Sequence, residues 1–378
     1  MTRPKLHVEP LFIGDVRDGL REFARQGQRV QTCVTSPPYW GLRDYGTAQW
    51  DGGSAGCDHT ATRRGHGDDE KQAGSAGTSR DPIRGGDCRL CGARRIDKQI
   101  GIEPTIAQYV ASLVEVFALL RQILAADGTL WLNLGDSYSG PSGGYDDKYQ
   151  GAFTGRRDIV HKVLKGSAKS RLPDKNLLGV PWEVAFALRA DGWYLRQDII
   201  WSKLNPMPES VTDRCTKAHE YIFLLSKSAR YYYNAKAIAE PMATKPHAPG
   251  NKKFYEGRTD ARRVKHDTKI WGASGLRNKR SVWTLAAESY TEAHFATFPT
   301  ALVEPCILAG SRVGDTVLDP FMGSGTVARV ANKLGRKWLG CELNREYVDL
   351  AGERSKPKNF HEAEVWKHSA QGDIEQWR

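Results

Sequence analysis

Val317-Leu-Asp-Pro-Phe-Met-Gly-Ser-Gly-Thr326 is the stretch on which the fold turns. Its apolar start reads as the end of a buried strand. Two glycines then turn the chain, and a helix opens near Thr326. Glycine lets a ligand come close to the backbone. The helix N-terminus adds the positive end of a dipole, which suits a carboxylate. About one strand later, Leu339-Gly-Cys-Glu342 ends in an acidic residue. Such a residue can accept hydrogen bonds from both hydroxyls of a ribose, as in dinucleotide folds. A phosphate loop is excluded, because no Lys-Ser/Thr pair follows the glycines. The plainer alternative is that Gly323 and Gly325 only form a tight turn. Thr316 to Leu350 thus reads as strand, glycine turn, helix, strand, helix.

The N-terminal part carries the same grammar. Leu11-Phe-Ile13 is a short apolar run and Gly14-Asp15 a turn. Val16, Leu20, Phe23 and Ala24 then fall on one helical face. Val30 to Val34 is a second strand, followed by Thr35-Ser-Pro-Pro-Tyr-Trp40. Groups that sit just past the carboxyl ends of strands are the functional ones in open α/β sheets. A helix resumes at Glu103-Pro-Thr105, with Tyr109, Leu113, Val116, Phe117, Leu120 and Leu124 at helical spacing, and Asp127-Gly128 ends it. Thr129 to Leu134 is a strand, Pro181 to Asp191 a helix, and Tyr194 to Trp201 and Tyr221 to Leu225 are strands. No internal repeat is present.

Hydrophobic residues make up 40% and charged residues 26% of the 378, which marks a globular protein. The net charge of +11 favours a polyanionic partner, nucleic acid first. No long apolar span argues for a membrane partner. The start, Met1-Thr-Arg-Pro-Lys5, lacks the apolar stretch of a signal peptide, so the expected location is cytoplasmic. The seven cysteines are then thiols or metal ligands. Two segments break the α/β pattern. Residues 41–98 are polar and glycine-rich, an insertion too polar to build its own core. Residues 140–175 are a second basic stretch, read as a mobile loop. Lys245 to Arg280 holds eleven Lys or Arg against three Asp or Glu. Lys252, Lys253, Arg258, Arg262, Arg263, Arg277 and Arg280 are its candidate DNA contacts; arginine pairs bidentately with guanine, while most basic residues meet phosphate.

Cys57-Asp-His59 and Cys88-Arg-Leu-Cys91-Gly92 form a Cys-x-His plus Cys-x-x-Cys set. Four such ligands in a polar insertion suit a structural zinc ion that braces a loop. His66 is an alternative to His59, and unrelated thiols are the plain alternative to a metal. Cys33, Cys215, Cys306 and Cys341 lie in or beside apolar segments and read as core residues.

Taken together, these motifs resemble the amino-methyltransferases of bacterial restriction-modification systems, in the β-type order with the catalytic motif first and the cofactor motif last. The resemblance implies an α/β, Rossmann-like methyltransferase fold: a mixed, mostly parallel seven-stranded sheet with helices on both faces, plus polar insertions. It implies S-adenosylmethionine as cofactor and double-stranded DNA as partner, with a cognate restriction endonuclease and a monomeric or homodimeric state. Residues 1–40 and 99–234 would form the catalytic part and 41–98 the zinc-knuckle insertion. Residues 235–290 would recognise the target and 291–378 would bind the cofactor.

For the cofactor, the resemblance assigns Asp15 to the adenine, Phe298 and Pro299 to the methionine end, and Glu342 to the ribose. Asp319, Phe321, Gly323, Gly325 and Thr326 form the cofactor loop. For catalysis, the Ser36 side chain and the Pro37 carbonyl accept hydrogen bonds from the target amino group, Pro38 stiffens the loop, and Tyr39 stacks on an extruded base. Family members with Ser first in this motif mostly methylate cytosine N4, those with Asp first adenine N6, so cytosine N4 is expected. The alternatives are adenine-N6 methylation and a non-catalytic zinc-containing DNA-binding protein. Asp136 is expected to cap a helix or shape the base pocket. His219 and Glu220 are candidates for ordering the catalytic loop, His219 as a structural histidine.

Overall fold

The computed structural model describes residues 10–42, 45–57, 59, 83–84, 87–88, 90–139, 172–242, 275–287, 298–345, 347–348 and 351. The chain opens with β1 (Leu11–Ile13), α1 (Val16–Arg25) and β2 (Val30–Thr35). Asp15 caps α1 by accepting the Arg17 N–H at 2.8 Å, a contact worth about 1 kcal/mol. Val16, Leu20 and Phe23 form the buried face of that helix.

In the polar insertion, β3 (Gln49–Asp51), β4 (Ile83–Arg84), β5 (Asp87–Cys88) and β6 (Arg94–Ile96) form a separate antiparallel sheet in the order β3-β6-β5-β4. The chain then forms α2 (Ile106–Ile123) and β7 (Leu124–Leu134). Thr105 caps α2 through the Gln108 N–H. Leu124, expected on the helix, instead begins β7, yet its side chain stays in the same core. By length and composition α2 could cross a membrane. Here Leu113, Val116, Phe117 and Leu120 are fully buried in the protein core.

Next come α3 (Val180–Ala190), β8 (Tyr194–Lys203), β9 (His219–Ser226), β10 (Glu240–Pro241), β11 (Leu276–Arg277) and β12 (Val282–Leu285). The last unit is α4 (Thr300–Gly310), β13 (Thr316–Asp319), α5 (Thr326–Lys333) and β14 (Lys337–Glu342).

The main sheet runs β1-β14-β13-β2-β7-β9-β8-β12. It is parallel from β1 to β7, antiparallel at β9, and parallel again between β8 and β12. Eight strands stand where seven were expected. The extra one, β12, extends the edge beyond β8, and its Trp283 joins the core. Both faces are covered, so central strands feed two cores in strict alternation. Leu130 and Leu132 face one core and Trp131 the other; Phe223 and Leu225 alternate with Ile222 and Leu224 in the same way. The first core holds α1, α2 and α3, the second α4 and α5.

Connections leave β13 and β2 in opposite directions: β13 leads through α5 to β14, and β2 leads to β7 on its other side. A crevice forms at such a switch point, outside the carboxyl ends of the strands.

Candidate active site

Strands β2 and β13 are parallel neighbours, with Leu318 beside Cys33. Their carboxyl ends therefore open onto the same side. A buried hydrogen bond ties them: Thr35 Oγ1 donates to Asp319 Oδ1 at 2.7 Å. The same oxygen accepts the Phe321 N–H at 3.1 Å, which starts the glycine loop. Burial pushes the Asp319 carboxyl up to about 7, against the opposing pull of its Thr35 and Phe321 donors.

Beyond Asp319 the loop turns at Gly323, whose φ of +51° suits glycine. No atom lies within 4 Å of where a Cβ would stand there. The turn is thus held from below and open above. Holding it is Glu342 at the end of β14, whose Oε2 accepts the Gly323 N–H at 2.7 Å while Oε1 accepts the Asn344 N–H at 2.8 Å. Burial raises the pKa of this carboxyl. Gly325 precedes α5, and Thr326 is its buried first residue. Phe298 packs against the second core and Pro299 is the N-cap of α4. Asp15 lies at the neighbouring turn, joined to the end of β14 by the Gly14 N–H on the Glu342 carbonyl at 2.8 Å. Its carboxylate is engaged in capping α1 and in an ion pair with Arg17 at 3.3 Å.

On the β2 side, Ser36 to Tyr39 form a loop fixed from several directions. The Pro38 carbonyl accepts the Tyr109 hydroxyl at 2.9 Å. Trp40 Nε1 donates to the Glu103 carbonyl at 2.9 Å, and the Gly41 N–H to the Gly101 carbonyl at 2.8 Å. The Tyr39 ring packs so closely on Gly135 that a Cβ there would lie 2.6 Å from Tyr39 Cε2. Ser36 Oγ lies 3.2 Å from Asn133 Oδ1 and 3.4 Å from the Tyr39 hydroxyl. Tyr39 Oη reaches Glu220 Oε2 at 2.6 Å and Asn133 Oδ1 at 3.0 Å. Asn133 Nδ2 donates to the same Glu220 oxygen at 3.2 Å, and Lys203 Nζ bonds the other at 2.5 Å. Burial, then the charge of Glu220, raises the Tyr39 hydroxyl well above its ordinary range, so it stays protonated.

Asn133 and Lys203 carried no assignment in the sequence. Asn133 sits in an apolar strand, and nothing in linear spacing connects positions 39, 133, 203 and 220. The juxtaposition of β7, β8 and β9 makes that connection.

Cys33 is fully buried in the first core, and burial lifts its thiol well above the ordinary range, the setting of an inert core thiol. Asp136 accepts the Ser137 N–H at 2.9 Å and the Gly179 N–H at 3.1 Å, at the start of α3. It thus ties the segment after β7 to Gly179, the residue from which α3 begins. His219 packs edge-on to Tyr221, and burial holds its pKa below the ordinary value.

In the insertion, the ligand atoms of Cys57, His59, Cys88 and Cys91 lie within 4.8 Å of one another. Cys57 Sγ is 3.7 Å from Cys88 Sγ, and Cys91 Sγ is 3.5 Å from His59 Nδ1. His66 lies outside the described residues. Trp50 stacks on the His59 ring at 4.5 Å between centroids. Of the basic candidates, Arg277 and Arg280 both donate to Glu240 Oε1, at 3.0 and 2.6 Å. Lys252, Lys253, Arg258, Arg262 and Arg263 lie outside the described residues, as does nearly all of the loop read at 140–175.

Residues 30–353 match the N6/N4 methyltransferase family model, described as DNA methylase. The type II methyltransferase M.SmaI of Serratia marcescens is 40% identical over 349 residues, covering 91% of this chain and 89% of that protein. The type II methyltransferase M.Cfr9I of Citrobacter freundii is 37% identical over 352 residues, with 93% and 88% covered. Among solved structures, the PvuII DNA methyltransferase (cytosine-N4-specific) aligns at a TM-score of 0.50 and 15% identity, covering 96% of this chain and 93% of that one. That likeness concerns the fold.

Proposed function

The chain belongs to the N6/N4 DNA methylase family, and from that premise we propose that it transfers a methyl group from S-adenosylmethionine to the exocyclic N4 of cytosine in duplex DNA. The observation that carries the proposal is the Thr35–Asp319 bond, which joins the serine loop and the glycine loop at adjacent strand ends. A base brought to Ser36 and a cofactor laid over Gly323 would share one crevice.

The residues fit the cofactor. Gly323 presents an open backbone, and a carboxylate such as Glu342 offers about four acceptor positions, more than its backbone donors occupy. When bound, S-adenosylmethionine supplies an electrophilic methyl group on a positive sulfur. The buried Asp319 carboxyl, once ionised, would complement that charge. Ser36 Oγ accepts a hydrogen bond from the target amino group, whose lone pair is otherwise delocalised into the ring. The prolines remove backbone donors that would compete and hold the acceptors in place. Extrusion of the base from the duplex is required for this approach. With the cofactor held by these residues, an N–C bond would form at the target amine as the cofactor's S–C bond broke, and the amine would lose one proton to solvent. Serine at the head of the motif supports cytosine N4 over adenine N6.

The cluster in the insertion is assigned a structural zinc ion. With Zn–S of about 2.3 Å and Zn–N of about 2.0–2.1 Å, a tetrahedral site separates its ligands by roughly 3.5–3.8 Å. The sulfur–sulfur and sulfur–nitrogen separations of 3.7 and 3.5 Å fit those edges. Its strands lead into the supports of the catalytic loop: Thr47 bonds Asp97, Gln99 Oε1 accepts the Tyr45 N–H, and the Gly101 carbonyl holds Gly41. The ion would brace this framework and take no part in the chemistry.

The test is direct. The enzyme is incubated with DNA and labelled cofactor, and the digested nucleosides are separated. Label in N4-methylcytosine is expected. Label in N6-methyladenine would overturn the choice of base, and absence of label the reaction itself.

A further inference from the structure

We propose that Glu220 is a positioning residue that sets the direction of every hydrogen bond around Ser36 and so leaves the serine oxygen as a pure acceptor toward the target amine. The inference rests on the methyl-transfer reading and deepens it.

The argument is a count of protons. A carboxylate only accepts. Glu220 Oε2 takes hydrogen bonds from the Tyr39 hydroxyl at 2.6 Å and from Asn133 Nδ2 at 3.2 Å, while Lys203 occupies Oε1. The Asn133 amide also donates to the Tyr221 carbonyl at 3.1 Å. Both donor directions of Nδ2 are thereby used, and a flipped amide would set its oxygen against two acceptors. Asn133 Oδ1 must therefore face Ser36 and Tyr39. Tyr39 has one proton, and the charged oxygen at 2.6 Å takes it. Among the described residues, the proton left for Asn133 Oδ1 is that of Ser36, whose other acceptor, the Tyr39 oxygen, lies farther off at 3.4 Å. Once Ser36 donates there, its oxygen can only accept from anything entering the crevice. A serine free to rotate could instead donate to the amine nitrogen and compete with methyl transfer for the same lone pair.

Glu220→Gln in the full-length enzyme replaces one acceptor by a donor and removes this constraint. Single-turnover methylation is expected to fall about a hundredfold, the scale of one misdirected hydrogen-bond partner at a reacting group. Cofactor affinity and the KM for DNA should stay within about twofold, and Glu220→Asp, still acceptor-only, should recover most of the rate. In a Ser36→Ala background the residual single-turnover rate should show no further loss on adding Glu220→Gln, because the effect passes through the serine oxygen. Asn133→Leu, which leaves the Ser36 proton only the longer 3.4 Å contact to the Tyr39 oxygen, supplies a second test should Glu220→Gln fail to fold; it should lose turnover comparably while retaining cofactor affinity. Wild-type turnover in either variant, or full multiplicative loss in the Ser36→Ala background, would overturn the assignment. Absence of methylation by the wild-type enzyme would instead overturn the underlying reading.

Discussion

Asp319 should make the protein's stability depend on pH in a way that one substitution removes. The carboxyl is buried at the junction of β2 and β13, and its pKa is raised from 3.8 to about 7. Below pH 3.8 it is protonated in both folded and unfolded chains and costs nothing. Above that, the unfolded chain ionises while the folded one keeps its proton, so stability falls as pH rises. The loss is complete once the folded carboxyl ionises near pH 7. About three units at 1.36 kcal/mol each give a cost of about 4 kcal/mol at neutral pH, of which about 3 kcal/mol should develop between pH 5 and 8. Asp319→Asn keeps an oxygen for the Thr35 hydroxyl and the Phe321 N–H and does not titrate. Urea unfolding of both proteins across this range gives the wild-type-minus-variant difference, in which other titrating groups cancel. That difference should fall by about 3 kcal/mol from pH 5 to pH 8. A constant difference would refute the reasoning. The same linkage predicts that a sulfonium ligand, which favours the ionised carboxylate, binds wild type more tightly at pH 8 than at pH 6, while its affinity for Asp319→Asn stays flat; calorimetric titration measures both.

Ser36→Ala should reduce methylation by about a hundredfold or more while cofactor affinity is unchanged, measured by label transfer and calorimetry; normal turnover would remove Ser36 from the mechanism. Gly135→Ala should push the Tyr39 ring off its seat, because the new Cβ would stand 2.6 Å from it. The overpacking cost of about 1–3 kcal/mol should appear in the unfolding free energy together with a lower turnover. Protein purified without added metal should contain one zinc per chain by atomic emission. Cys91→Ser should abolish that content and alter the fluorescence of Trp50, which stacks on His59; a zinc-free wild type with unchanged Trp50 emission would dismiss the metal.

The sequence spoke clearly where one residue's chemistry suffices and weakly where chemistry is shared across the sheet. The glycine turn before α5, the Gly14-Asp15 turn and the apolar periodicity of α2 are local, and they stand where the chain's own pattern puts them. The Cys-x-His and Cys-x-x-Cys halves, which the fold brings together, were legible because residue identity survives a long spacer; what was not legible is the small sheet β3-β6-β5-β4, since strands this short leave no periodic trace. The strand β12 was hidden for another reason: Val282-Trp-Thr-Leu285 follows a basic run that invited a reading as DNA contact. Two of the arginines in that run are held by Glu240, 40 residues or fewer away, a pairing no charge count reveals. Composition reports a surplus of cations and is silent on which of them are already neutralised. The same limit governs the candidate active site. Ser36 and Tyr39 announce themselves as a motif, but the hydrogen-bond partners around them, Asn133, Lys203 and Glu220, are delivered by three other strands. A motif identifies the atoms that can react; the direction of the hydrogen bonds around them is a property of the fold.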